Sequence, residues 1–265
     1  MRGRPTQGRS RTPGRVAPQL VTLGGAPARQ SDPTTCGSTV LLMLAATGDP
    51  LLAAWLEDGS IPADLPPHRL PPEIPPGRQA PDAAGRMALA QRYVKERTSA
   101  RALGPLRWPG ALGTPPWTAA REARTPGVRY RAVPVDDASP AGAALLAEVH
   151  AATLEGIPVP LYTGGDLGGG LAAAVPRHVV LAVPPPPEAP HRGHDDGGDP
   201  VLHVYDPSGG RVHQVRTAEL LGRTTPHPAL GGWTHVCWVL LPRPARASDS
   251  LAPPSPARQA GQTSP

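Results

Sequence analysis

Apolar and polar positions change rhythm about halfway along the chain. In the first half the apolar residues come in blocks of helical length. "CGSTVLLMLAATG" (residues 36–48) is apolar nearly all round, which predicts a helix buried at the centre of the molecule. "PLLAAWLEDG" (50–59) reads as a second helix, opened by Pro and closed by Gly. "AAGRMALAQRYVKERTSA" (83–100) is amphipathic at the helical period, and "TPPWTAAREAR" (114–124) predicts a shorter helix. The prolines of residues 61–82 exclude regular structure between them.

The second half is dominated by strands. "VRYRAVPV" (128–135) alternates, and "SPAGAALLAEVHAATLEG" (139–156) is one more helix, with a Ser cap and a terminal Gly. Then follow "IPVPLY" (157–162), "RHVVLAV" (177–183), "VLHVYD" (201–206), "RVHQV" (211–215) and "THVCWVLL" (234–241), short Val-rich runs bounded by turn residues. Helices early and strands late predict an α+β domain with a mostly antiparallel sheet.

The ends lack either rhythm. Residues 1–26 are expected to form a disordered basic tail, with at most a short extended stretch at "QLVTL" (19–23). Residues 27–242 form the folded domain and residues 243–265 a second disordered tail. Composition agrees with this division: Gly and Pro, at 30 and 39 residues, make up about a quarter of the chain. With no Phe and only 3% aromatic residues, the core has to be built from Leu, Val, Ala and five Trp.

Charge narrows the function classes. The net +5 belongs to the ends: residues 1–30 carry +6, residues 243–265 carry +2, and the middle is net −3. A folded part of that sign does not suit nucleic acid. No apolar run reaches the ~18 residues of a membrane span, and the basic N-terminus is not followed by the apolar segment of a secretory signal. Two cysteines and no signal point to free thiols in a reducing, cytoplasmic setting.

The candidate chemistry lies in "RQSDPTTCGSTV" (29–40). Ser31, Asp32, Thr34 and Thr35 are all plausible caps, so Cys36 falls in the first turn of the central helix, where unpaired N–H groups and the helix dipole favour a thiolate. His178, 142 residues later, opens a strand and can present its imidazole at a sheet end. Asp206 ends the next strand; in an antiparallel pair it lies beside that imidazole. The Cys36 N–H and the Gln30 side-chain amide are candidate oxyanion donors. His203 is a rival base, but alternation puts it on the face opposite Asp206. Cys237 sits inside a strand and is expected in the core.

A glutamine, five residues and "CG" at a central helix, followed by "GIPVPLY", "PRHVVLAV" and "VYDPSGGRVHQVRTAELL", resemble the papain-like cysteine peptidases. The resemblance is to the bacterial family that includes peptidases processing double-glycine bacteriocin leaders. It covers roughly residues 29–42 and 157–221. It implies a papain-like fold, with the nucleophile on a central helix packed on the sheet. It also implies a Cys–His–Asp site at Cys36, His178 and Asp206, with Gln30 in the oxyanion hole. Peptide or amide cleavage through a thioester is expected, with a peptide or protein substrate and no metal or organic cofactor. The sequence departs from the family at Ser38, where Pro is common, and residues 51–130 match nothing in it. The same site also suits an amidase, deamidase or acyl transferase, and the fold could serve as a non-catalytic binding protein. The sequence leaves the oligomeric state open.

Three further stretches read as ordinary. "HRGHDDGGD" (191–199) lacks zinc-site spacing and is expected to be a solvated loop. "GGDLGGGLAAAVPRH" (164–178) lacks the Lys and Ser or Thr of a phosphate loop and reads as a flap beside the cleft. "LGGA" (23–26) resembles a double-glycine cleavage site but reads as a linker.

Overall fold

The structure, a computed structural model, describes residues 17–165, 176–187 and 199–244. Residues 1–16 and 245–265 of the two expected tails, most of the Gly-rich flap and most of the His/Asp-rich loop lie outside the described residues.

Each helix forms where the apolar blocks place it. α1 (Cys36–Gly48) runs straight into α2 (Pro50–Glu57), because Asp49 between them accepts hydrogen bonds from Leu51 N and Leu52 N and starts the second helix. α3 (Ala83–Ser99) is capped by Asp82, and α4 (Pro116–Glu122) starts on a proline. Within residues 61–82 the backbone forms a single 3-10 turn, Pro67–Arg69. Ser139 caps α5 (Pro140–Leu154) by accepting from Gly142 N.

The strands from Val128 onward form an antiparallel sheet. They are β4 (Val128–Pro134), β5 (Val159–Gly164), β6 (His178–Val183), β7 (Val201–Asp206), β8 (Arg211–Arg216) and β9 (His235–Pro244). β1 (Gln19–Leu20) completes the sheet order β1-β8-β7-β6-β5-β9-β4. α1 and its neighbouring helices cover one face and α5 the other, so the central strands are apolar on both sides. On β6, Val180 and Ala182 pack with Leu146 and Val149 of α5, while Val179 and Leu181 pack with Val40, Leu41 and Leu44 of α1. A third cluster, Leu42, Ala45, Leu52, Trp55 and Met87 among others, binds α1, α2 and α3 together. The molecule is thus an α+β fold on a mainly antiparallel sheet. Among the described residues no single helix is long and apolar enough to cross a membrane.

The N-terminal boundary is corrected by the structure. Residues 17–26 do not belong to a tail. Gln19 and Leu20 pair with Val212 and Arg211, and Val21 N donates to Gly210 O at 2.8 Å. β2 (Thr22–Leu23) and β3 (Ala26–Pro27) then make a hairpin turning on Gly24 and Gly25, both at positive φ. β8 would otherwise expose an unpaired edge, and Val21 and Leu23 reach the helical cluster. These gains order a segment whose composition alone reads as disordered. At the other end β9 runs to Pro244, two residues past the expected boundary.

Candidate active site

β6 begins where β7 ends. In their antiparallel register Leu181 faces Tyr205 and Ala182 faces Val204, which brings the start of one strand beside the end of the other. His178 alternates with Val180 and Ala182, and Asp206 with Val204 and Leu202. Both side chains therefore lie on one face of the sheet end. They meet there: His178 Nε2 lies 2.7 Å from Asp206 Oδ1, and both residues are 6% exposed. Ser208 holds the carboxylate from behind, its backbone N–H donating to Oδ1 at 3.0 Å and its hydroxyl to Oδ2. With Nε2 engaged, one ring nitrogen remains, and Cys36 lines the same cleft as this imidazole.

Cys36 is the first residue of α1 and is 4% exposed. The four residues expected to cap this helix do something else. Asp32 accepts from Thr34 N (2.8 Å) and from the Thr34 hydroxyl (2.6 Å), folding the loop on itself. The Thr35 hydroxyl donates to Asp32 O, and Ser38 and Thr39 turn their hydroxyls onto Thr35 O. Thr35 occupies the N-cap position, but no side chain caps the helix. The positive end of α1 is thus open at the thiol.

Electrostatics follow the geometry. Burial disfavours a charged imidazole, but hydrogen bonds to Asp206 and Cys36, together with their charge, outweigh it and push His178 up to about 9. Burial likewise opposes charging Asp206. Its bonds to His178 and Ser208 still hold the carboxyl below the usual range. Both shifts describe one imidazolium–carboxylate pair.

Gln30 sits on the segment leading to Cys36. Its backbone N–H donates to Pro207 O at 2.8 Å and its side-chain Nε2 donates to Asp32 O at 3.0 Å. One amide hydrogen is therefore committed to the loop, and Gln30 is absent from the cleft lining. His203 is buried on the face with Tyr205, and that burial lowers its pKa. Cys237 packs in the core, its thiol donating to Tyr162 O at 3.3 Å, and burial pushes it up to about 12.

The cleft at Cys36 encloses about 230 Å³. Thr34, Leu112, Thr114, Tyr162, Arg177 and Trp233 are among the residues around it. Gly231 is the supporting residue that the sequence pattern gives no sign of. It has φ +65°, and a Cβ there would overlap His178 Cδ2 and come within 2.5 Å of Nε2. Gln91 is a second, on the α3 face that carries Met87, Ala90 and Val94. Its amide accepts from Ser31 N (2.7 Å) and donates to Arg29 O (2.8 Å), holding the segment before the thiol. A glutamine on an apolar stripe was a readable signal.

No family model and no curated protein matches the chain. Among solved structures it is similar to a double glycine motif protease from an AMS/PCAT transporter, in complex with the leader peptide. The identity is 12%, with 88% of this chain and 96% of that chain covered and a TM-score of 0.34. That likeness is too distant to assign a residue or an activity.

Proposed function

We propose that this chain is a papain-like thiol hydrolase that cleaves a peptide or amide bond. The observation that carries this reading is one buried imidazole with a carboxylate on Nε2, in the same cleft as a helix-tip thiol. The chemistry is general: sulfur at a positive helix end is a nucleophile, and a protonated imidazole beside it is the acid that releases the amine.

The Cys36 thiolate attacks the substrate carbonyl carbon. As the C–S bond forms, the carbonyl electron pair moves onto oxygen. The N–H groups of the open α1 end, Cys36 N–H foremost, receive that oxyanion. The C–N bond then breaks, and His178 gives its proton to the departing nitrogen. Water next adds to the thioester while His178 takes its proton, and loss of the acid restores the thiolate. Asp206 keeps the ring oriented and favours its charged form in both halves.

The test is thiol reactivity beside turnover. Wild-type Cys36 is expected to react with iodoacetamide quickly below pH 7 and at least about tenfold more slowly in His178→Ala, since the imidazolium partner is lost. A peptide and amide panel should be cleaved by wild type and not by Cys36→Ala. Slow labelling that is equal in wild type and His178→Ala would sink the reading.

A further inference from the structure

Buried hydroxyls in this fold usually find a backbone carbonyl. Tyr130 donates to Pro158 O and Tyr205 to Ala28 O; Thr39, Thr118 and Thr163 donate to Thr35, Pro115 and Leu230. Among the described residues three buried hydroxyls have no partner: Ser99 at the end of α3, Thr114 and Tyr162. Thr114 and Tyr162 are 4% and 1% exposed, and both line the cleft that holds Cys36.

The two lie close to each other and to the thiol. Thr114 sits against Gly37, the residue after Cys36: a Cβ on Gly37 would come within 2.7 Å of Thr114 Cβ and 2.8 Å of its Oγ1. The same Cβ would meet Val179 Cγ2 at 3.4 Å. Val179 is in turn the cross-strand partner of Tyr162. Val179 and Leu112 give the wall apolar surface, and Thr34 and Arg177 line it as well. Each unpaired buried hydroxyl is costly where it stands, and a ligand group reaching the cleft floor would relieve that cost.

We infer that Thr114 and Tyr162 form a hydrogen-bonding subsite beside Cys36 that takes a short carboxamide side chain of the substrate in preference to an apolar one of equal size. The inference rests on the thiol-hydrolase reading for its place in a reaction. A carboxamide oxygen has two lone pairs and can accept from both hydroxyls. A carboxylate of the same shape would be desolvated at the cleft floor, where buried His178 is already paired with Asp206 and the other cation of the lining, Arg177, is solvent-exposed. Tyr162 stays a neutral donor throughout: burial first, then the neighbouring Cys36 and Cys237, hold its phenol far above the ordinary range. Sites built around such donors discriminate strongly, because an apolar analogue leaves them unpaired.

The test uses the full chain and peptides that differ only in the two residues on the acyl side of the scissile bond. Asn or Gln is expected to exceed Leu in kcat/KM by at least about tenfold, and Tyr162→Phe and Thr114→Val to bring that ratio close to one. A second measurement needs no turnover: protection of Cys36 from iodoacetamide by N-acetyl-asparaginamide, compared with its leucine and aspartate analogues. The asparagine compound should protect best in wild type and lose that advantage in both variants. Such protection without any cleavage would keep the subsite and refute the hydrolase. Cleavage and protection indifferent to the side chain, or better with aspartate, or unaltered in both variants, would overturn the subsite. Both variants should melt no lower than wild type, since each removes an unpaired hydroxyl.

Discussion

The imidazole of His178 rests on a residue with no side chain. Gly231→Ala should therefore tilt the ring away from Asp206 and the thiol, costing about a hundredfold in activity while leaving the sheet intact. Circular dichroism beside Cys36 labelling separates the two effects; normal labelling in the folded variant would contradict it. Asp206→Asn removes the group that most strongly favours the imidazolium, leaving burial to work against it. The fall in turnover on the alkaline side, where the imidazolium proton needed by the leaving amine is lost, should then move from near pH 9 to lower pH, read from kcat/KM across pH. The positions of Cys36, His178 and Asp206 were legible because a helix start and two strand ends are marked by local residue types. Gly231 was not, since its role is set by a ring 53 residues away in the chain.

At the level of elements, the segment that carries Gln30 and Ser31 has no regular structure and is held by α3. Gln91→Ala would strand Arg29 O and Ser31 N without their partner. A loss of about 2 kcal/mol in a urea titration is expected, with slower Cys36 labelling. Gln91→Glu, which keeps only the acceptor, should fall between. Helices and strands of ordinary length were readable because their apolar spacing repeats several times. Of β1, β2 and β3 only an extended stretch at 19–23 was readable, because two residues cannot show a period; pairing with β8 and burial of Val21 and Leu23 decide them. The capping residues before α1 misled for a related reason. Asp, Ser and Thr hydroxyls and carboxylates satisfy many turn geometries, and only the folded loop shows that they bond to one another.

For the molecule as a whole, the His178–Asp206 pair links stability to pH. His178 is raised in the folded state, so its contribution is fully present below the unfolded value of about 6.5 and is lost as pH rises through about 9. Asp206 is lowered, so its contribution is present above the unfolded value of about 3.9 and is lost as pH falls. Buried His203 and half-buried His213 act in the opposite sense, being lowered. The difference between wild type and Asp206→Asn isolates the pair. In denaturant midpoints that difference should be greatest between about pH 4 and 6.5 and shrink toward pH 10; a gap constant over this range would count against the pairing. The overall α+β layering was legible from the change in rhythm, whereas the strand order depends on contacts far apart in sequence.

One arrangement in the site region limits how the two layers can move. The approach to the nucleophile is tied directly to the turn after the carboxylate strand, Gln30 N to Pro207 O and Ala28 O to the Tyr205 hydroxyl. Those bonds form a seam along the back of the cleft, so the helical and sheet halves cannot hinge apart there without unpicking buried backbone pairs.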